Sequence, residues 1–279
     1  MSIWFSISAL AKSTLVHLST FSRINVYRNL VYAPGRNELN TLDIYVPKSG
    51  EKHPVVIFVH GGNYNSGDKR TSVYHKPIAF TSKGFVFVSI DYRLSPKVRY
   101  PAHAQDVAKS IAWVRKNINR YGGNPNRLYL MGHSAGAQLA ALVSTDGRFL
   151  AAEGLKLTCL SGVVLLDGGT YDLTSTARFS EKHDMLFAAF GKDPHVWWQA
   201  SPLNNISEGK GIPPFLILYK SGRLDGWAQA QAFSNALRNA GVSTDLKSFN
   251  KSHAALNEQI GGTQDIPTKD VLGFLSNQH

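Results

Sequence analysis

A chain of 279 residues with 43% hydrophobic and 18% charged residues is globular in composition, and its length suits one large α/β domain. Its lone cysteine, Cys159, excludes an internal disulfide, and its place before the apolar run Val163–Leu166 predicts packing rather than reactivity. The net charge of +11 comes from scattered Lys and Arg, with no run beyond Asp68-Lys69-Arg70 and Arg115-Lys116, so it reads as a basic solvated surface and not as a nucleic-acid stripe.

Residues 1–21 lack a charged n-region and are interrupted by Lys12 and His17, which argues against a secretory signal and a spanning helix. Trp4, Ile7, Ala11, Leu15 and Leu18 recur at three-to-four spacing and predict an amphipathic helix packed on the domain. A lid or a weak contact with a membrane surface is the alternative for this helix. With no convincing signal, the expected location is the cytoplasm.

The remainder, residues 22–279, reads as one domain. Val26–Tyr32 and Leu42–Val46 flank a turn at Pro34-Gly35-Arg36-Asn37 and predict an antiparallel pair. Pro54–His60 is an unbroken apolar run, the pattern of a strand buried on both faces, and Phe85–Ile90 repeats it. Ala102–Tyr121 is a helix with a stripe at Val107, Ile111, Val114 and Ile118, stopped by Gly122-Gly123-Asn124-Pro125. A short strand, Leu128–Met131, runs through Gly132-His133-Ser134-Ala135-Gly136 into a helix at Gln138–Ser144. Gly162–Leu166, Phe215–Tyr219 and Val242–Phe249 are further strands, and Asp225–Ala240 and Thr268–Asn277 are helices. The pattern predicts a doubly wound, mostly parallel α/β sheet of eight strands. Residues 167–207, long and irregular between two strands, read as a small cap-like insertion.

The chemistry centres on Gly132-His133-Ser134-Ala135-Gly136. A serine on a strand-to-helix elbow needs small neighbours two residues to either side, where strand and helix approach. Ser134 is therefore the candidate nucleophile. His60-Gly61-Gly62-Asn63 follows the first buried strand, and a glycine-rich turn there can offer preorganised N–H groups to an oxyanion. The candidate donors are the N–H groups of Gly62, Asn63 and Ala135, with Gly61, Tyr64 and His133 as candidate pocket residues. His133 is expected to face away from the elbow, and His60 to be an architectural hydrogen-bonder.

A serine needs a general base, and in strand–serine–helix hydrolases the acid and then the histidine follow it along the chain. His253, just after the last strand, is the candidate base; His183 and His195 fall in the insertion, and His279 is terminal. Asp225, after the strand Phe215–Tyr219, is the candidate acid, with Asp167 and Asp172 as fallbacks one strand earlier. As a plain helix opener, Asp225 also suits an N-cap.

The segment His60–Lys69 resembles the oxyanion segment of carboxylesterases of the feruloyl-esterase and arylformamidase type, relatives of the hormone-sensitive-lipase group. Asp91-Tyr92-Arg93-Leu94-Ser95-Pro96, and Pro101-Ala102 with Asp106 and Trp113, resemble the segments that follow in that group. The resemblance covers roughly residues 26–275 and implies an α/β-hydrolase fold, a small-molecule substrate that is a small or aromatic ester, a Ser-His-Asp mechanism, and no metal or organic cofactor. It also implies that Asp91 and Arg93 hold a loop. Asn63 and Tyr64 depart from the small residue and Trp often found there. Cleavage of an N-formyl amide is the second reading, and a non-catalytic binding protein on the same fold the third.

Overall fold

The computed structural model describes residues 24–35, 38–179 and 183–278; the helix expected over residues 1–21 lies outside them. Eight strands form one sheet: β1 (Ile24–Val31), β2 (Thr41–Pro47), β3 (His53–Val59), β4 (Val86–Ile90), β5 (Gly123–His133), β6 (Leu160–Leu166), β7 (Phe215–Lys220) and β8 (Thr244–Phe249). The described helices are α1 (Lys76–Ser82), α2 (Ala102–Asn117), α3 (Ala135–Thr145), α4 (Gly147–Ala151), α5 (Leu173–Phe179), α6 (His183–Phe190), α7 (Pro194–Gln199), α8 (Leu224–Asn239), α9 (Ala255–Glu258) and α10 (Ile266–Asn277). The spatial order is β1-β2-β4-β3-β5-β6-β7-β8. β1 pairs antiparallel with β2, and β2 with β4. Every pairing from β4 through β8 is parallel.

The apolar runs explain the layering. Along β3, Val55, Ile57 and Val59 point into one core, which α2, α3 and α8 cover, while Val56 and Phe58 point into the other with Phe80 of α1 and Phe274 of α10. This is the period-two alternation of a strand buried on both sides. Burying each such side chain contributes about 1.5–3 kcal/mol. The stripe foreseen for α2 is buried as expected, with Val107, Ile111, Val114 and Ile118 all in the first core.

Two elements differ from the sequence reading. β5 begins at Gly123, where a stop was expected, because the Gly122 C-cap (φ 78°) turns the chain straight into a pairing of Gly123 with His53. The described residues of the segment 167–207 carry α5, α6 and α7 where an irregular stretch was expected, the last capped by the Asp193 side chain on the His195 N–H.

Strand order places the site. From β3 the chain crosses to β4 on one side and later to β5 on the other, so the order reverses there. Open α/β sheets bind ligands outside the carboxyl ends of strands at such a reversal. β3 and β5 are neighbours, with Val59 opposite Gly132, so the segment after β3 and the segment after β5 emerge side by side.

Candidate active site

Ser134 sits at the elbow between β5 and α3 with φ 55° and ψ −120°. A non-glycine residue there carries about 1–3 kcal/mol of strain, which the surroundings must hold. They do so by close approach. A Cβ on Gly132 would lie 2.2 Å from the Gly136 carbonyl oxygen, and one on Gly136 would lie 2.2 Å from that of Val59. The Ser134 N–H is anchored to the Leu166 carbonyl at 3.0 Å, tying the elbow to the end of β6.

His253 reaches Ser134 from the loop after β8. Its Nε2 is 3.0 Å from Ser134 Oγ, and its Nδ1 is 2.6 Å from Asp167 Oδ2. An ionised carboxylate only accepts, so Nδ1 carries the proton and Nε2 is left to accept from the serine hydroxyl. The histidine side chain is 42% exposed, whereas that of Asp167 is buried. Asp167 Oδ1 accepts from the Lys220 N–H at 2.8 Å. Burial pushes the Asp167 carboxyl up, but the hydrogen bonds from His253 and Lys220 and the charges of His253 and Arg223 outweigh it, holding the group below the usual carboxylate range.

The acid beside His253 is thus Asp167, at the end of β6, and not Asp225. Asp225 is 73% exposed, and its two oxygens take the Arg223 guanidinium at 3.0 and 3.1 Å. The reason is local: Asp225 lies in the first turn of α8, two residues from Arg223, where a short-range ion pair forms. Arg223 holds the Asp225 carboxyl below its ordinary value. Asp172, the other fallback, caps the first turn of α5, accepting from the N–H groups of Thr174 and Ser175.

On the other side of Ser134 stands the glycine turn. A Cβ on Gly61 would fall 3.0 Å from Ser134 Cβ and 2.9 Å from His133 Nδ1, so only glycine lets the two segments meet. Gly62, Asn63 and Tyr64 all have positive φ (111°, 53° and 64°), which winds the turn tightly; its closing bonds run from the Asn65 and Ser66 N–H groups to the Gly62 carbonyl. Among the described residues, the N–H groups of Gly62, Asn63 and Ala135 have no protein acceptor. All three residues line the same cavity as Ser134. Ala135 opens α3, whose dipole adds positive potential there.

The pocket candidates take distinct places. His133 does not face away. Its Nε2–H donates to the His253 carbonyl at 3.0 Å and its ring lies 4.7 Å from that of His253, because Gly61 leaves it room. Burial, with the adjacent His253, lowers its pKa to about 3, so it is a neutral donor. Tyr64 is buried against His103 and Phe190, with its hydroxyl donating to Gln138 Oε1 at 3.2 Å. His60 is architectural, as expected: its Nδ1–H donates to the Gly61 carbonyl and its ring stacks on Tyr92. Asp91 takes Lys69 Nζ at 2.5 Å, and Arg93 forks onto Asp106, both bracing loops around the site.

The cavity has a volume of about 620 Å³, within the ordinary range of small-molecule pockets. Thr170, Thr176, Met185, Lys220 and Arg223 continue its wall beyond the residues above. Lys220 and Arg223 were missed in the sequence; their place at the carboxyl end of β7 is the signal that marks them. Among the described residues, no helix is long and apolar enough to cross a membrane.

A serine elbow, a glycine turn and an acid–histidine pair at the carboxyl edge of this sheet define the α/β-hydrolase fold. The chain belongs to the BD-FAE family of feruloyl-esterase-like proteins, whose model matches residues 42–237. It is 35% identical over 230 residues to Esterase LipQ of Mycobacterium tuberculosis, covering 77% of this chain and 53% of LipQ. It is 27% identical over 278 residues to the isoprenylcysteine alpha-carbonyl methylesterase ICME of Arabidopsis thaliana, covering 93% of this chain and 64% of ICME. The chain thus spans between half and two thirds of the length of these relatives. Among solved structures, a truncated carbohydrate esterase from gut microbiota superposes with a TM-score of 0.76 at 22% identity, over 91% of this chain and 96% of that one. Esterase B of Lactobacillus rhamnosis does so at 0.74 and 19%, over 96% and 91%. These last two likenesses are of fold.

Proposed function

We propose that this chain hydrolyses small carboxylic esters through an acyl-enzyme on Ser134, with His253 as base and Asp167 as acid. The observation that carries the reading is the continuous hydrogen-bonded series from Ser134 Oγ through both nitrogens of His253 to the buried Asp167. His253 Nε2 takes the serine proton as Oγ attacks the ester carbonyl. Asp167 holds the ring in the required tautomer and stabilises the imidazolium. The developing oxyanion rests on the N–H groups of Gly62, Asn63 and Ala135. His253 then gives its proton to the leaving alcohol, and water repeats the sequence on the acyl-enzyme. The cavity of about 620 Å³, with buried Tyr64 in its wall and Gln138 behind it, is of a size that takes small-molecule esters.

A panel of p-nitrophenyl esters of increasing chain length, with labelling by a fluorophosphonate, tests this. Turnover of the shortest esters and labelling that vanishes in Ser134→Ala are expected. Labelling that survives the substitution, or an unreactive wild-type chain, would overturn the reading.

A further inference from the structure

His253 presents a problem of support. Its side chain is 42% exposed and is held at the ring only by Asp167, Ser134 and the neighbouring His133 ring, so its aim at Ser134 also depends on where the backbone of its loop is held. That loop continues directly into α9, a single helical turn. The last carbonyls of a helix have no partner within it and must be met from outside.

Lys76 meets one of them. It is the first residue of α1, fully buried, and its Nζ donates to the Asn257 carbonyl in α9 at 2.7 Å and, less closely, to the Ser72 carbonyl at 3.4 Å. Asn257 Nδ2 donates to that same Ser72 carbonyl at 3.2 Å, so two bonds from opposite sides close one joint. Ser72 and Asn257 both line the cavity, and Asn257 is four residues beyond His253. No carboxylate among the described residues stands within ion-pair distance of Nζ. The groups facing it are backbone carbonyls, the Phe58 ring at 4.8 Å and the Tyr74 ring at 5.6 Å, with Glu258 and His133 interacting at longer range. A lysine is an expensive way to fill an apolar site. Removed from water and aimed at the Asn257 carbonyl at the negative end of α9 and, less closely, at the Ser72 carbonyl before α1, it is placed as a tie.

We propose that Lys76 is a positioning residue for His253, its amine fixing α9 to the segment before α1 and so setting the angle at which the imidazole meets Ser134. This rests on the reading of Ser134 and His253 given above. The tie complements the His133 bond to the His253 carbonyl: one holds the loop at its start, the other four residues on. Burial lowers the Lys76 pKa to about 7, and an uncharged amine still offers two N–H donors to two carbonyls. The joint therefore survives loss of the charge.

The test uses the full chain with p-nitrophenyl acetate as substrate. Lys76→Met keeps the length and removes the donors. It is expected to lower kcat about 10–100-fold with KM changed less than about twofold, since small misplacement of a catalytic group acts on the chemical step. The downfield proton resonance of the His253–Asp167 hydrogen bond should shift or broaden in the variant while far-UV circular dichroism is unchanged. Asn257→Ala deletes the second bond of the joint and should lower kcat in the same sense by about 3–10-fold, and it decides the matter if Lys76→Met does not fold. Unchanged kcat and an unchanged downfield proton in a folded variant, or a loss confined to KM, would overturn the proposal. A wild-type chain without esterase activity, or activity that survives Ser134→Ala, would instead overturn the functional reading on which it rests.

Discussion

The ends of β6 and β7 each present a carboxylate two strands or fewer from Ser134, and the two meet opposite fates. Asp167 follows β6 without a break, has a left-handed backbone (φ 47°), and is pinned on both oxygens, by His253 and by the Lys220 N–H. Asp225 follows β7 only after a turn, opens a helix, and spends its oxygens on a neighbouring arginine at the surface. The difference teaches that a strand end delivers an acid to a site when its backbone is fixed by adjacent strands. The Asp167 N–H itself donates to the Leu218 carbonyl of β7 at 2.7 Å, so the two strands together aim the one acid.

The comparison can be broken at several points. Ser134→Ala removes the group both acids would serve, and kcat/KM should fall by about 10⁴–10⁶-fold in an ester assay, with the thermal midpoint little changed. Asp167→Asn should lower kcat by about 10²–10⁴-fold, because the amide no longer selects the His253 tautomer; steady-state kinetics at neutral pH checks this. Gly136→Ala drives a methyl group against the Val59 carbonyl, and thermal unfolding should report a loss of about 1–3 kcal/mol or more. Asp225→Asn, at the exposed ion pair, should change kcat less than about threefold and stability less than about 1 kcal/mol.

Acid sharpens the same contrast between buried and exposed groups. Burial lowers His133 to about 3 and His103 to about 4, so both stay neutral in the folded chain. Below their unfolded value near 6.5, the unfolded chain binds protons that the folded one refuses, so stability falls as pH drops from about 6.5 towards 4. Unfolding midpoints measured across that window should decline, and His103→Asn should flatten the slope.

Much of the site was legible in the sequence because its signals are local. Gly132 and Gly136 flank Ser134 at the spacing that close strand–helix approach demands, and Gly61-Gly62 follows an apolar run that could only be a buried strand. His253 was legible by position after the last strand. The acid was not, because Asp167 and Asp225 both fall between serine and histidine in chain order, and order cannot say which loop is pinned towards the imidazole. His133 was misjudged for a related reason: its room comes from Gly61, more than seventy residues earlier, across the β3–β5 pairing. The short helices α5–α7 escaped notice because a helix of six to eight residues carries too few turns for a periodic stripe.

The central claim is that β6 supplies the acid. It is tested most directly by kcat/KM for one p-nitrophenyl ester in Asp167→Asn and Asp225→Asn, measured side by side. The Asp225→Asn enzyme should exceed the Asp167→Asn enzyme by about 10²-fold or more. A ratio near one, or one inverted in favour of Asp167→Asn, would contradict it.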